Sequence, residues 1–157
     1  MNIRFAEERD VSKIMFFIKE LAEYEKMSDE VVATEEMLRC EIFEKKNAEV
    51  IFALDENGRE VGFALFFTTF STFLGRSGIH LEDLYVLPEE RGNGYGKALL
   101  KYLAQLCTER GCGRLEWTCL NWNTPSLDFY RALGAETMDE WTSLRVSGEA
   151  LLKLAQN

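Results

Sequence analysis

Proline occurs only twice in this chain, at Pro88 and Pro125, and histidine only once, at His80. No serine- and glycine-rich stretch divides the sequence, and no segment repeats another. These absences speak against an interdomain linker or a solenoid and predict one domain over residues 1–157. The four cysteines, Cys40, Cys107, Cys112 and Cys119, match no zinc spacing. With one histidine beside them no metal site is expected, and the thiols are expected to be reduced. The longest apolar run, Val61 to Phe67, falls far short of the roughly 20 residues needed to cross a bilayer. The opening MNIRFAEERD is rich in charge and has no apolar stretch, so neither a signal peptide nor a membrane is expected and the location is expected to be cytoplasmic. Positive charge is in deficit: 18 Lys and Arg face 27 Asp and Glu, a net charge of −9. Sequence-independent binding of nucleic acid requires a basic surface, so that class is excluded. An acidic field instead attracts small cations, although it also serves solubility.

Apolar residues are plentiful at 46%, with eleven Phe and three Trp, enough for a full core. Ile3 to Ala6 reads as extended. Asp10 is expected to cap a helix from Val11 to about Glu25, whose Val11, Ile14, Met15, Ile18, Leu21 and Ala22 recur at helical spacing. Thr34 is expected to cap a second helix through Ile42. Val50 to Leu54 and Val61 to Thr69 read as strands joined at Asn57-Gly58, a hairpin signal. Ile79 to Val86 is a third strand, broken by Pro88. Lys97 to Arg110 carries an apolar helical stripe and meets Gly111 at its end. Arg114 to Leu120 reads as a strand, Thr124-Pro125 as the start of a helix that ends near Gly134. Glu140 to Val146 reads as a last strand, with Ser147 capping a terminal helix. Strands interleaved with helices around a central hairpin predict an α/β (α+β) fold, a mixed sheet covered by helices on both faces.

Between the third strand and the helix after it lies Arg91-Gly92-Asn93-Gly94-Tyr95-Gly96. Glycines let a backbone wrap a phosphate, and a helix N-terminus offers unpaired N–H groups and positive potential. Lys97 is followed by Ala98, so the hydroxyl of a P-loop is missing, and no third glycine stands where a dinucleotide fingerprint needs it. Spacing alone leaves a phosphate cradle and an ordinary strand-to-helix turn both open.

The segment from Leu84-Tyr85-Val86-Leu87-Pro88 to Lys97-Ala98-Leu99-Leu100 resembles the acyl-CoA signature of the GNAT N-acetyltransferases, Arg/Gln-x-x-Gly-x-Gly/Ala, with Arg91, Gly94 and Gly96 in the motif positions. The later run from Asn121-Trp122-Asn123-Thr124 to Phe129-Tyr130-Arg131-Ala132-Leu133-Gly134-Ala135 resembles the second hallmark of that family. Leu21 to Asp29, Leu81-Glu82-Asp83-Leu84, Trp122-Asn123 and Trp141 resemble its diamine (spermidine/spermine) and thialysine N-epsilon-acetyltransferase subgroup. Phe70 to Arg76 is nearer the thialysine branch, with an extra residue between Arg76 and Leu81. The resemblance runs nearly end to end. It implies the GNAT acyl-CoA N-acyltransferase fold, with a mixed, mostly antiparallel sheet. It also implies acetyl-CoA as donor, no metal, a small amine substrate and a homodimer.

By that resemblance acetyl-CoA is held by Leu84, Tyr85, Val86, Arg91, Gly92, Asn93, Gly94, Tyr95, Gly96, Lys97, Asn123 and Tyr130. The pantetheine amides would pair with the main chain of Leu84 and Val86, and the Val86 N–H would serve the oxyanion. The chemistry adds its own demand. An alkyl ammonium with a pKa of about 10.4 is neutral in roughly one molecule in two thousand at pH 7, a penalty of about 4.6 kcal/mol, so a base helps. Glu82 and Asp83 are the candidates. They should face opposite sides of their strand unless a bulge intervenes, and the resemblance favours Glu82 acting through water. Tyr130 would protonate the departing thiolate. Tyr24, Glu25, Glu30, Ser71, Thr72, Glu82, Asp83 and Trp141 are the substrate candidates, the carboxylates for an ammonium and the hydroxyls for an amino-acid head. Direct attack in a ternary complex is expected, since Cys119 has no histidine beside it. An acetyltransferase of peptide amines and a non-catalytic acyl-CoA sensor are the alternatives.

Overall fold

The computed structural model describes residues 1–156. They form two compact units, Met1–Thr118 and the residues from Cys119 on. The first holds β1 (Asn2–Phe5), α1 (Val11–Tyr24), α2 (Glu35–Leu38), β2 (Glu49–Leu54), β3 (Glu60–Ser71), β4 (Arg76–Val86), α3 (Tyr95–Glu109) and β5 (Leu115–Trp117). Its sheet has the order β1-β2-β3-β4-β5. The first three pairings are antiparallel and β4–β5 is parallel, so the sheet is mixed and mostly antiparallel.

Strand alternation divides the core between the two faces of this sheet. On one, Ile14 and Phe17 of α1 pack with Val50, Phe52, Phe63, Tyr85 and Leu87. Phe17 is fully buried and stacks on Phe63 at 5.2 Å, a burial that contributes about 1.5–3 kcal/mol. On the other, α3 buries Leu99, Leu100, Leu103 and Cys107. There Leu99 Cδ1 lies 3.5 Å from where a side chain on Gly62 would begin.

The hairpin at Asn57-Gly58 forms as expected: Gly58 adopts φ 81°, and Asp55 Oδ1 accepts from the N–H groups of Asn57 and Arg59 at 2.8 and 2.9 Å. Asp10 stands at the N-cap of α1 but does not cap with its side chain. Its carboxylate accepts two bonds from Arg4, at 2.7 and 3.0 Å, and one from the Glu7 N–H at 2.7 Å; the charged partner outcompetes the helix end. Thr34 caps α2 by accepting from the Met37 N–H, and the chain continues through a π-helical turn, Arg39–Glu44. The strand expected over 114–120 is only Leu115–Trp117. Its partner β4 bulges immediately after Leu81, which ends the parallel ladder.

The second unit contains α4 (Thr124–Ala132) and α5 (Gly148–Gln156). Asn123 rather than Thr124 caps α4, its side chain accepting from the Ser126 N–H at 3.4 Å, with Pro125 in the first turn. The strand expected over Glu140 to Val146 does not form. Among the described residues that segment has no ladder partner, and its apolar side chains Trp141, Leu144 and Val146 stay exposed. An apolar pattern makes a strand only where a neighbour takes its hydrogen bonds.

Candidate active site

The β4–β5 ladder covers only Ile79 to Leu81, yet β4 runs on to Val86 with β3 as its remaining partner. The Leu87 N–H donates to the Val61 carbonyl, so the main-chain groups of Tyr85 and Leu87 point at β3. Those of Leu84 and Val86 therefore point at the open edge. An independent contact agrees: Arg91 Nε donates to the Val86 carbonyl at 3.0 Å. Two N–H and two C=O groups at strand spacing thus face outward, which is what an extended ligand with amide groups can pair with.

The chain leaves this edge through Pro88–Glu90 and enters the glycine loop. Gly92 and Gly94 adopt φ 83° and 86°, a conformation that side chains with a Cβ resist. Gly94 is the N-cap of α3 and contributes no side-chain cap. The first intrahelical bond runs from Ala98 N–H to the Gly94 carbonyl at 3.0 Å, so the N–H groups of Tyr95, Gly96 and Lys97 have no acceptor within the helix. With exposed Lys97 they form a donor cluster suited to phosphate oxygens.

Upstream on the same strand lie the acids. Leu65 pairs with Asp83 and Phe66 with Leu81, so Glu82 is the extra residue of a bulge. That bulge cancels the opposite-face rule, and the two carboxylates feel one another. Burial pushes the Asp83 carboxyl up to about 7, helped by the charges of Glu82 and Glu25. Burial also raises Glu25, again with help from Glu82. Glu25 follows the last residue of α1, so the helix end and the bulged strand bring three carboxylates into one field. Glu82 is exposed, and its Oε2 lies 3.5 Å from His80 Nε2. Sequence reasoning left His80 without a role; the i, i+2 spacing on one strand was the signal that could have placed it beside Glu82.

The remaining candidates lie on other elements. Ser71 is the last residue of β3 and Thr72 follows it in the turn; Ser71 pairs with Arg76 at the start of β4, about 20 Å along that strand from Glu82. Ser71 is buried and its hydroxyl accepts from the Leu74 N–H at 3.2 Å, a turn-closing role. Glu30 is exposed in the turn Ser28–Glu30. In the second unit Asn123 is buried at its cap, Tyr130 is half-buried on α4 with its ring 5.5 Å from Phe129, and Trp141 is exposed. Among the described residues no group of three or more His, Cys, Asp or Glu could hold a metal ion, and no helix is long and apolar enough to cross a membrane.

Residues 14–135 match the Acetyltransferase (GNAT) family. The chain belongs to that family. The GNAT match spans both compact units. The chain is 41% identical to a thialysine N-epsilon-acetyltransferase of Bos taurus over 98% of its own length and 96% of that enzyme's. It is 38% identical to the L-ornithine N5-acetyltransferase NATA1 of Arabidopsis thaliana over 57% of this chain and 40% of that one. Among solved structures, an integron cassette protein from the mobile metagenome of V. cholerae superposes with a TM-score of 0.82 at 28% identity, covering 99% of this chain and 98% of that one. This GNAT chain is an acetyl-CoA-dependent N-acetyltransferase. Its own residues fit that donor: the outward amides of Leu84 and Val86 suit a pantetheine arm, and the N–H cluster at Tyr95–Lys97 suits a diphosphate.

Proposed function

We propose that this enzyme acetylates a primary amine of a small cationic substrate, a thialysine- or lysine-like amino acid or a diamine or polyamine, by direct attack in a ternary complex. The observation that carries the reading is the triad Glu25, Glu82 and Asp83 beside the open edge of β4. Three carboxylates sharing one field attract an ammonium, and a carboxyl poised near 7 can take a proton at neutral pH. Thialysine- and ornithine-acetylating relatives support a substrate of this class.

In this reading the Glu82–Asp83 pair strips the amine proton as a unit. Glu82, on the exposed bulge, is the member that water reaches, and Asp83 is the member whose charge changes near neutrality. Acetyl-CoA supplies the activated acetyl group. The outward Val86 N–H is assigned to the developing oxyanion, and Tyr130 to the proton for the thiolate. Residues 1–157 act as one GNAT domain in a cytoplasmic homodimer, with no nucleic acid as partner.

The test is release of CoA thiol from acetyl-CoA over a panel of thialysine, lysine, ornithine, putrescine, spermidine and a lysine peptide. Turnover is expected with small diamines or diamino acids in preference to the peptide. No thiol release with any of the small amines would contradict the proposal. Initial rates with both substrates varied should give intersecting double-reciprocal lines; parallel lines would mean an acyl-enzyme. Tyr130→Phe is expected to lower kcat about 10²-fold or more with little loss of CoA affinity by calorimetry. An unchanged kcat would remove Tyr130 from its role.

A further inference from the structure

The motif assigns Arg91 to the acyl-CoA loop, yet its side chain turns back across the site. Its Cζ lies 5.1 Å from the ring centroid of Tyr24 and 5.1 Å from that of Tyr85. The two rings are 6.3 Å apart, tilted by 60°, and Nε donates to the Val86 carbonyl. A planar guanidinium can stack on ring faces while its edge donates to a carbonyl, a fixed geometry that the flexible lysine ammonium does not reproduce.

Three elements meet in this contact. Tyr85 lies on β4 between Leu84 and Val86. Arg91 opens the loop that leads to Gly94. Tyr24 is the last residue of α1 and precedes Glu25 of the acidic triad. The end of α1 is held by a left-handed Lys26 at φ 60° and by the Met27 N–H bonding the Ala22 carbonyl at 2.8 Å, so Tyr24 is presented from a fixed turn. A shift of α1 on amine binding would be felt at Arg91, and ordering of the loop would be felt at Glu25.

We propose that Arg91, held between Tyr24 and Tyr85, is a positioning residue that couples the amine side of the site to the acetyl-CoA loop. The inference rests on the function proposed above, and its test reads CoA binding without turnover.

CoA is titrated calorimetrically into the full chain and into Tyr24→Leu, Tyr24→Phe, Arg91→Lys, Arg91→Ala and the Tyr24→Leu/Arg91→Ala double variant. Tyr24→Leu, although outside the loop, should weaken CoA binding by about three- to tenfold. Tyr24→Phe keeps the ring and should restore it. Arg91→Lys keeps the charge and should still lose a similar factor. In the double variant the leucine should add nothing to the loss caused by Arg91→Ala, the mark of one shared interaction. Wild-type affinity in Tyr24→Leu or in Arg91→Lys, or losses that multiply in the double variant, would overturn the coupling alone. Arg91→Lys at an exposed position keeps the test decisive if Tyr24→Leu does not fold. A wild-type chain that binds no CoA would overturn the proposed function and this inference together.

Discussion

Asp83→Asn is expected to lower kcat/KM by about 10²- to 10⁴-fold and at the same time to make the free protein more heat-stable at pH 8. Both effects follow from one fact. Burial, with the charges of Glu82 and Glu25, holds the Asp83 carboxyl at about 7 against a reference of 3.8. The fold therefore favours the neutral acid. A group raised in this way contributes stability that is fully present below the unfolded value and is lost as pH rises through the folded one. For Asp83 that window runs from about 4 to about 7, and the loss above it has a ceiling of about 4 kcal/mol. Asparagine cannot ionise, so the variant should melt several degrees higher than wild type at pH 8, with the difference shrinking towards pH 4. In kinetics, wild-type kcat/KM should fall as pH drops below about 7, because protonated Asp83 neither accepts the amine proton nor attracts the ammonium. Asp83→Asn should erase that limb. Glu82→Gln should move it to lower pH, since the Glu82 charge helps to raise Asp83. A pH profile left in place by Asp83→Asn would assign the titration elsewhere.

Gly94→Val carries the second large effect, on the donor side. Gly94 stands at φ 86° as the N-cap of α3. Its surroundings are open, with only the Met1 side chain at 3.9 Å from a built Cβ, so steric crowding is not the obstacle. The backbone is: a β-branched residue pays about 1–2 kcal/mol or more to hold a left-handed conformation. The loop would relax away from it and withdraw the N–H groups of Tyr95 and Gly96 from their common direction. KM for acetyl-CoA is expected to rise at least about tenfold, and by a larger factor than KM for the amine. An acetyl-CoA KM matching wild type would mean that the loop's main chain does not hold the donor.

What could be read in the sequence was whatever depends on local chemistry. The helical stripe of α3, the Asn57-Gly58 hairpin and the glycine loop after Pro88 are set by residues within a few positions of one another, and all three stand where expected. The features that escaped depend on distant partners. Asp10 reads as a helix cap until Arg4 of β1, itself bonded to Glu60 of β3, takes its carboxylate. Leu115 to Trp117 is shorter than its apolar pattern because the bulge sits in β4, not in β5. Glu140 to Val146 has strand-forming residues and no ladder partner among the described residues. In the site itself, Glu82 and Asp83 were legible as acids, but their mutual field depends on the bulge and on Glu25 arriving from α1. Ser71 and Thr72, read as hydroxyls for a substrate, stand where β3 turns into β4, a placement that depends on strand pairing rather than on their neighbours in sequence.

A crystal structure with bound CoA tests the central claim most directly, because both halves of the donor site are main-chain groups that ordinary side-chain replacements leave in place. The pantetheine amides should pair with Leu84 and Val86 along the open side of β4, and diphosphate oxygens should accept from the amides at the start of α3. Coenzyme bound elsewhere, with that strand edge paired to protein and those amides facing no phosphate, would contradict the account.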